Sequence, residues 1–168
     1  MHLAYLISVF LHIVAATAWV GGMVVLIAVL VPWLRRGDRA KAAVVLRETA
    51  TRLRDIGWIC FATFLVTGTF NLWVRGVRPS SFTQPPFLAS PFGQTVCIKL
   101  GLFLLIVVLS GLHDFWIGPR AARLLETQPG SPQAERWRRR AGRMGRINAL
   151  LALVIVFVGV MLVRGRPW

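Results

Sequence analysis

Few residues in this chain can do chemistry from within an apolar segment. They are His12, Lys99, His113 and Asp114, joined by the hydrogen-bonding groups Thr69, Asn71 and Asn148 and the soft atoms of Cys60, Cys97 and Met161. A neutral imidazole ligates haem iron or copper through one ring nitrogen, and thiolate or thioether sulfur selects Cu(I). His12 therefore stands open as a haem ligand, as a copper ligand, or as a hydrogen-bonding residue between helices. Trp19 and the pair Gly21-Gly22 follow it two to three turns on, where small residues let a flat ligand or a neighbouring helix approach closely. Lys99 can pair with a haem propionate, supply an axial position or reach lipid phosphate; Arg75 and Arg78 can likewise meet propionates. For copper, the candidate ligands are His12, Met161 and Cys97. His2 with the free α-amino group is a further Cu(II) chelate, on a terminus expected to be mobile.

These residues must be positioned by membrane helices. Of the residues, 56% are hydrophobic, mean hydropathy is +0.64, and 20 Lys+Arg face 6 Asp+Glu, giving a formal charge of +14. Disorder and an ordinary soluble domain are excluded. The charges sit in short stretches between long apolar runs, so the bilayer is the expected partner and nucleic acid is not. Leu3 to Leu34 contains no Asp, Glu, Lys or Arg, and a span needs about 20 apolar residues. No basic stretch precedes this run and it is too long for a signal-peptide core, so it reads as a helix that stays. The expected fold is all-α: an integral membrane four-helix bundle in a single domain over 1–168, with helices at about 3–34, 56–75, 92–118 and 146–164.

Seven basic residues lie between Arg35 and Arg54 and eight arginines between Arg120 and Arg146, whereas Gly76 to Pro91 holds only Arg78. The excess of basic charge predicts that the connections between helices 1 and 2 and between helices 3 and 4 are cytoplasmic, and that the connection between helices 2 and 3 and both termini lie outside, in the bacterial inner membrane. Trp33, Trp58 and Trp116 then fall at inner helix ends and Trp73 at an outer one, as an interfacial aromatic belt requires. The segment 39–54 sets Ala43, Leu46, Ala50 and Leu53 among basic residues, which fits a helix continuing from the membrane or lying on its surface. Its arginines either fix topology or bind anionic lipid at the cytoplasmic face. Gln128 to Gln133, with Pro129, Gly130 and Pro132, reads as a flexible turn.

A short internal repeat bears on depth. Pro32 and Pro119 close the first and third helices at an offset of 87, and Leu72-Trp73-Val74-Arg75-Gly76 is similar to Met161-Leu162-Val163-Arg164-Gly165 at an offset of 89. His12 and Lys99 each precede their proline by 20 residues, which places both roughly 30 Å from the inner surface, near the outer edge of the hydrocarbon. His113, Asp114, Asn148 and Asp55 form an inner group. His12 and His113 are expected roughly 20 Å apart along the membrane normal, too far to share one metal. The inner group reads as ion pairing and interhelical hydrogen bonding, with His113 as a second haem or metal ligand or a proton carrier as the alternative. Cys60 and Cys97 fall at opposite ends of their helices and read as packing residues.

Leu11-His12 followed by Ala15, Trp19 and Gly21-Gly22, then Lys99-Leu100 opening a Leu-rich helix that ends in His113-Asp114 and Pro119-Arg120, resembles the copper-resistance D (CopD) family of bacterial membrane proteins. The chain is more distantly similar to the HemJ-type four-helix membrane proteins. The first resemblance implies copper uptake or homeostasis. The second implies a haem b and oxidation of a porphyrin or quinol, with His12 and Lys99 as the matching positions. A third reading is a non-catalytic accessory subunit packed in a larger membrane complex or against another copy of itself. Whether the chain is an enzyme stays open. It carries no nucleophile–base pair, P-loop, dinucleotide fingerprint or metalloprotease motif.

Overall fold

Long runs of Leu, Val, Ala and Phe satisfy every backbone polar group internally when they coil, and in hydrocarbon that leaves the helix as the only open-chain solution. The structure, a computed structural model, describes residues 1–34, 39–128 and 130–165. Arg35 and Arg36, and the side chains of Arg39, Lys41, Ala43 and Leu46, lie outside the described residues. The described chain is helical with no strand, and four of its helices are long and apolar enough to cross a membrane: His2–Trp33, Arg47–Val74, Pro91–Thr127 and Pro132–Arg164.

In chain order the elements are α1 (His2–Val25), a π segment (Leu26–Leu30), α2 (Val31–Leu34), α3 (Arg39–Val74), a 3-10 turn (Pro79–Thr83), α4 (Pro85–Ala89), α5 (Pro91–Leu112), a second π segment (His113–Ile117), α6 (Gly118–Thr127) and α7 (Pro132–Arg164). Two of these helices exceed the expected spans. Helix α3 begins at Arg39, so the basic segment 39–54 continues directly into the second span, and α7 begins at Pro132 rather than near 146. Pro132 stands in the first turn of α7, where proline is tolerated, and beyond it no proline interrupts either extension.

The internal repeat has structural counterparts. Each proline sits just after a π segment, and the two segments begin 87 residues apart, at Leu26 and His113. Proline lacks an N–H and its ring clashes with the carbonyl four residues back; widening the preceding turn relieves both. The paired Arg-Gly sequences also end their helices alike, with Gly76 at φ +83° and Gly165 at φ +88°. At Gly76 the chain closes with Gly76 N–H donating to Trp73 O and Val77 N–H to Leu72 O, each at 3.0 Å, a Schellman ending that only glycine enters without strain. Two starts match as well. Ser90 and Ser131 each accept from the backbone N–H three residues on, with proline at the first helical position.

Helix α1 packs chiefly on α3, and α5 on α7, so the molecule is two antiparallel hairpins. Its driest level lies midway along them, where Ile106 is 1% and Ala152 0% exposed. The rings of Phe61, Phe64 and Phe103 meet edge to face beside it, with centroids 6.1–6.3 Å apart. Outward faces carry exposed Leu, Val, Ile and Phe along all four spans, the surface expected of helices that meet lipid tails.

Candidate functional site: two imidazoles in two polar layers

His12 faces α3. Its Nδ1 lies 2.7 Å from Thr67 Oγ1, and the Thr67 hydroxyl donates to the Thr63 carbonyl at 2.6 Å. Thr67 has one proton, so the arrangement that satisfies all three groups has His12 Nδ1–H donating to Thr67 and Thr67 donating to Thr63. This tautomer is assigned from the hydrogen-bond chain, and it leaves Nε2 with a free lone pair. The ring lies against Phe64, centroids 5.1 Å apart, and over Gly68, where a β-carbon would stand 3.7 Å from His12 Cε1. Ser8, one turn outward on α1, donates to the Thr67 carbonyl at 3.4 Å.

Lys99 stands on α5 facing α7, with its Nζ 3.5 Å from where a β-carbon on Gly159 would be. It lies within electrostatic reach of His12 on one side and Arg75 on the other. Arg75 itself is exposed and donates to the Tyr5 hydroxyl at 3.3–3.4 Å, tying the outer ends of α1 and α3 together. Arg78 turns away from this layer: it stacks 4.0 Å over Trp73 and donates to the Trp73 carbonyl at 2.6 Å. Asn71 Oδ1 is buried without a hydrogen-bond partner among the described residues. The outer layer is thus an imidazole with one free nitrogen set among cations.

Trp19 sits further inward. Its indole packs edge-on to Phe61 and Phe64 and against Gly57, where a β-carbon would meet it at 3.6 Å. It lines the aromatic core and makes no polar contact with His12. Met161 and Cys97 are both partly buried and stand on the second hairpin. Cys60 is buried and, like Cys97, a free thiol. Among the described residues no three His, Cys, Asp or Glu side chains converge.

The inner layer joins all three remaining helices. His113 Nδ1 is 3.0 Å from Asp114 Oδ1, Trp58 Nε1–H donates to Asp114 Oδ2 at 3.2 Å, and Asn148 Nδ2–H donates to Ser110 Oγ at 2.8 Å. Thr67 and Trp58, which anchor the two layers on α3, are nine residues apart, or about 14 Å along the axis. An interval of that size keeps one metal from bridging His12 and His113.

The partners Thr67, Thr63, Gly68 and Gly159 escaped the reading of the sequence. The spacing Thr63-x3-Thr67 places two hydroxyls on one face, and Gly68 beside Thr67 was the available signal. Which face meets which helix is set by packing alone.

The copper resistance protein D family matches residues 47–162, more than half of the chain. That span includes Lys99, His113, Asp114, Asn148 and Met161 and leaves out α1 with His12. Among relatives, an uncharacterized protein of Aquifex aeolicus (strain VF5) is 32% identical over 154 residues, 90% of this chain and 90% of that protein. The copper transport protein CutJ of Bacillus subtilis (strain 168) is 31% identical over 105 residues, 62% of this chain but 18% of that protein. No solved structure matches. An all-helical four-span chain whose second to fourth spans align with one family has a clear place: it belongs to the copper resistance protein D family.

Proposed function

We propose that this protein handles copper at the bacterial inner membrane, with copper as its substrate and His12 Nε2 as a ligand near the outer face. The observation that carries this reading is the pinned His12 ring, whose Nδ1 is engaged by Thr67 so that Nε2 is the free donor. Family membership supplies the metal, and CutJ, named a copper transport protein, supports movement of copper as the task. The basic stretches on α3, α6 and α7 support cytoplasmic connections and outward termini. The same arginines suit anionic lipid: Arg120 and Arg140 lie 4.8 and 5.2 Å over Trp137, a cationic and aromatic surface of the interfacial kind.

A second reading follows from Lys99 and Arg75. Two cations beside an imidazole repel a bare metal ion and attract carboxylates, which favours a haem b whose propionates meet them and whose iron takes His12. A reduced-minus-oxidised spectrum of the purified protein, run with its metal content and beside His12→Ala, separates the two. Copper bound by the wild type, lost in His12→Ala and with no b-type band, is the expected result. A b-type band lost in the variant makes the protein a haem carrier. Neither copper nor haem leaves the accessory-subunit reading.

A further inference from the structure

The inner layer holds its imidazole on a carboxylate, where the outer layer uses a neutral hydroxyl. Both oxygens of Asp114 are engaged, Oδ1 by His113 and Oδ2 by Trp58. With both oxygens accepting, the assignment that satisfies the set puts the hydrogen on His113 Nδ1, and in the neutral ring Nε2 then keeps its lone pair. A carboxylate behind a histidine is the arrangement that fixes the tautomer of metal-binding imidazoles and raises their basicity. The His113 side chain is 31% and the Asp114 side chain 19% exposed, so the ring is reachable and the carboxylate mostly sheltered.

Two features at the same level point to a guest. Asn148 is 7% exposed, gives its amide N–H to Ser110, and keeps a buried Oδ1 with no partner. An orphaned acceptor of that kind costs about 1–3 kcal/mol unless water or a bound species reaches it. Met144 lies four residues before Asn148 and so on the same face of α7, one turn inward. His113 lies one turn inward from Ser110 on α5, the residue Asn148 holds. In antiparallel neighbours that register brings the thioether of Met144, which is partly buried, to the level of His113. Helix α7 packs directly on the second π segment.

We propose that His113 Nε2 is a second copper ligand at the inner end of the bundle, with Met144 as its soft partner and Asp114 as the positioning residue. Imidazole with thioether suits Cu(I), and the carboxylate lowers the electrostatic cost of a cation that Lys99 and Arg75 raise in the outer layer. The choice of metal rests on the copper reading above; the site itself rests on the inner residues alone.

The test uses the full chain in nanodiscs, titrated with Cu(I) under reducing conditions against a chromophoric chelator. The wild type is expected to hold two copper ions, His12→Ala and His113→Ala one each, and the double variant none. Asp114→Asn is expected to weaken the inner ion by roughly 10–100-fold with helicity unchanged. Asp114→Glu should recover most of that loss, a rescue that mere packing would not show. Met144→Leu, which preserves volume, should weaken the inner ion alone. A single ion lost in His12→Ala and untouched by His113→Ala overturns the inner site and leaves the outer ligand standing. A single ion lost in His113→Ala and kept in His12→Ala upholds the inner site and overturns the outer ligand.

Discussion

The two polar layers hold the same kind of group in opposite electrostatic settings. In one layer the His12 ring leans on a neutral threonine and shares its surroundings with Lys99 and Arg75. In the other the His113 ring leans on a carboxylate that Trp58 also grips. Between them lies the level of Ile106 and Ala152, whose exposure falls to 0–1%. The lesson is that an imidazole at a given depth says little about its ligand until the charges around it are known. A cation passing between the layers would meet a dry barrier of about two turns, so passage requires the hairpins to shift against each other.

That contrast can be broken or sharpened by substitution. The largest effect is expected at the barrier. Ala152→Leu overfills a fully enclosed position and should cost about 1–3 kcal/mol of stability in detergent unfolding. Ala28→Leu, on the exposed face of the first π segment, should stay within about 0.5 kcal/mol. Equal costs would mean that the middle is not the packed level. Next, Lys99→Met removes a cation from the outer layer and should tighten Cu(I) there by roughly tenfold, or about 1.4 kcal/mol. If haem occupies that layer instead, the same variant weakens its retention. Thr67→Val keeps the shape at α3 and deletes the acceptor for His12. It should cost about 0.6–1.7 kcal/mol, the range of interhelical hydrogen bonds in membranes, and weaken outer copper while leaving the inner ion unchanged. The smallest effect is expected for Arg47→Ala, which opens the exposed 2.8 Å pair with Glu126 and should move stability by no more than about 0.5 kcal/mol.

Much of the frame was legible in the residues. Four apolar runs, the third of them interrupted by Lys99, are long enough to cross the hydrocarbon and have one solution, and the four spans stand where those runs do. The repeat was visible as Pro32 with Pro119 and Arg75-Gly76 with Arg164-Gly165. What it signified structurally was hidden, because the two wide turns before the prolines share no residue pattern: Leu26–Leu30 is plain aliphatic, while His113–Ile117 carries His, Asp and two aromatic residues. The extensions of α3 and α7 were hidden for another reason. Hydropathy reports where a helix enters lipid and not where it begins. At the site, His12, Lys99 and His113 could be named in advance, since a polar residue in an apolar run declares itself. Thr67, Trp58 and Gly159 could not, because their significance comes from the rotation of one helix against its neighbour.

The π segments carry a consequence for how such a chain tolerates changes in length. Each is one residue longer than the α-helical turn it replaces. Loss of a residue elsewhere in a span rotates everything beyond it by about 100° and turns buried faces toward lipid. Loss of a single residue within Leu26–Leu30 or His113–Ile117 instead lets the wide turn close to an ordinary one, and the flanking faces keep their phase. The two places where the helices look irregular are therefore the places where their length is negotiable.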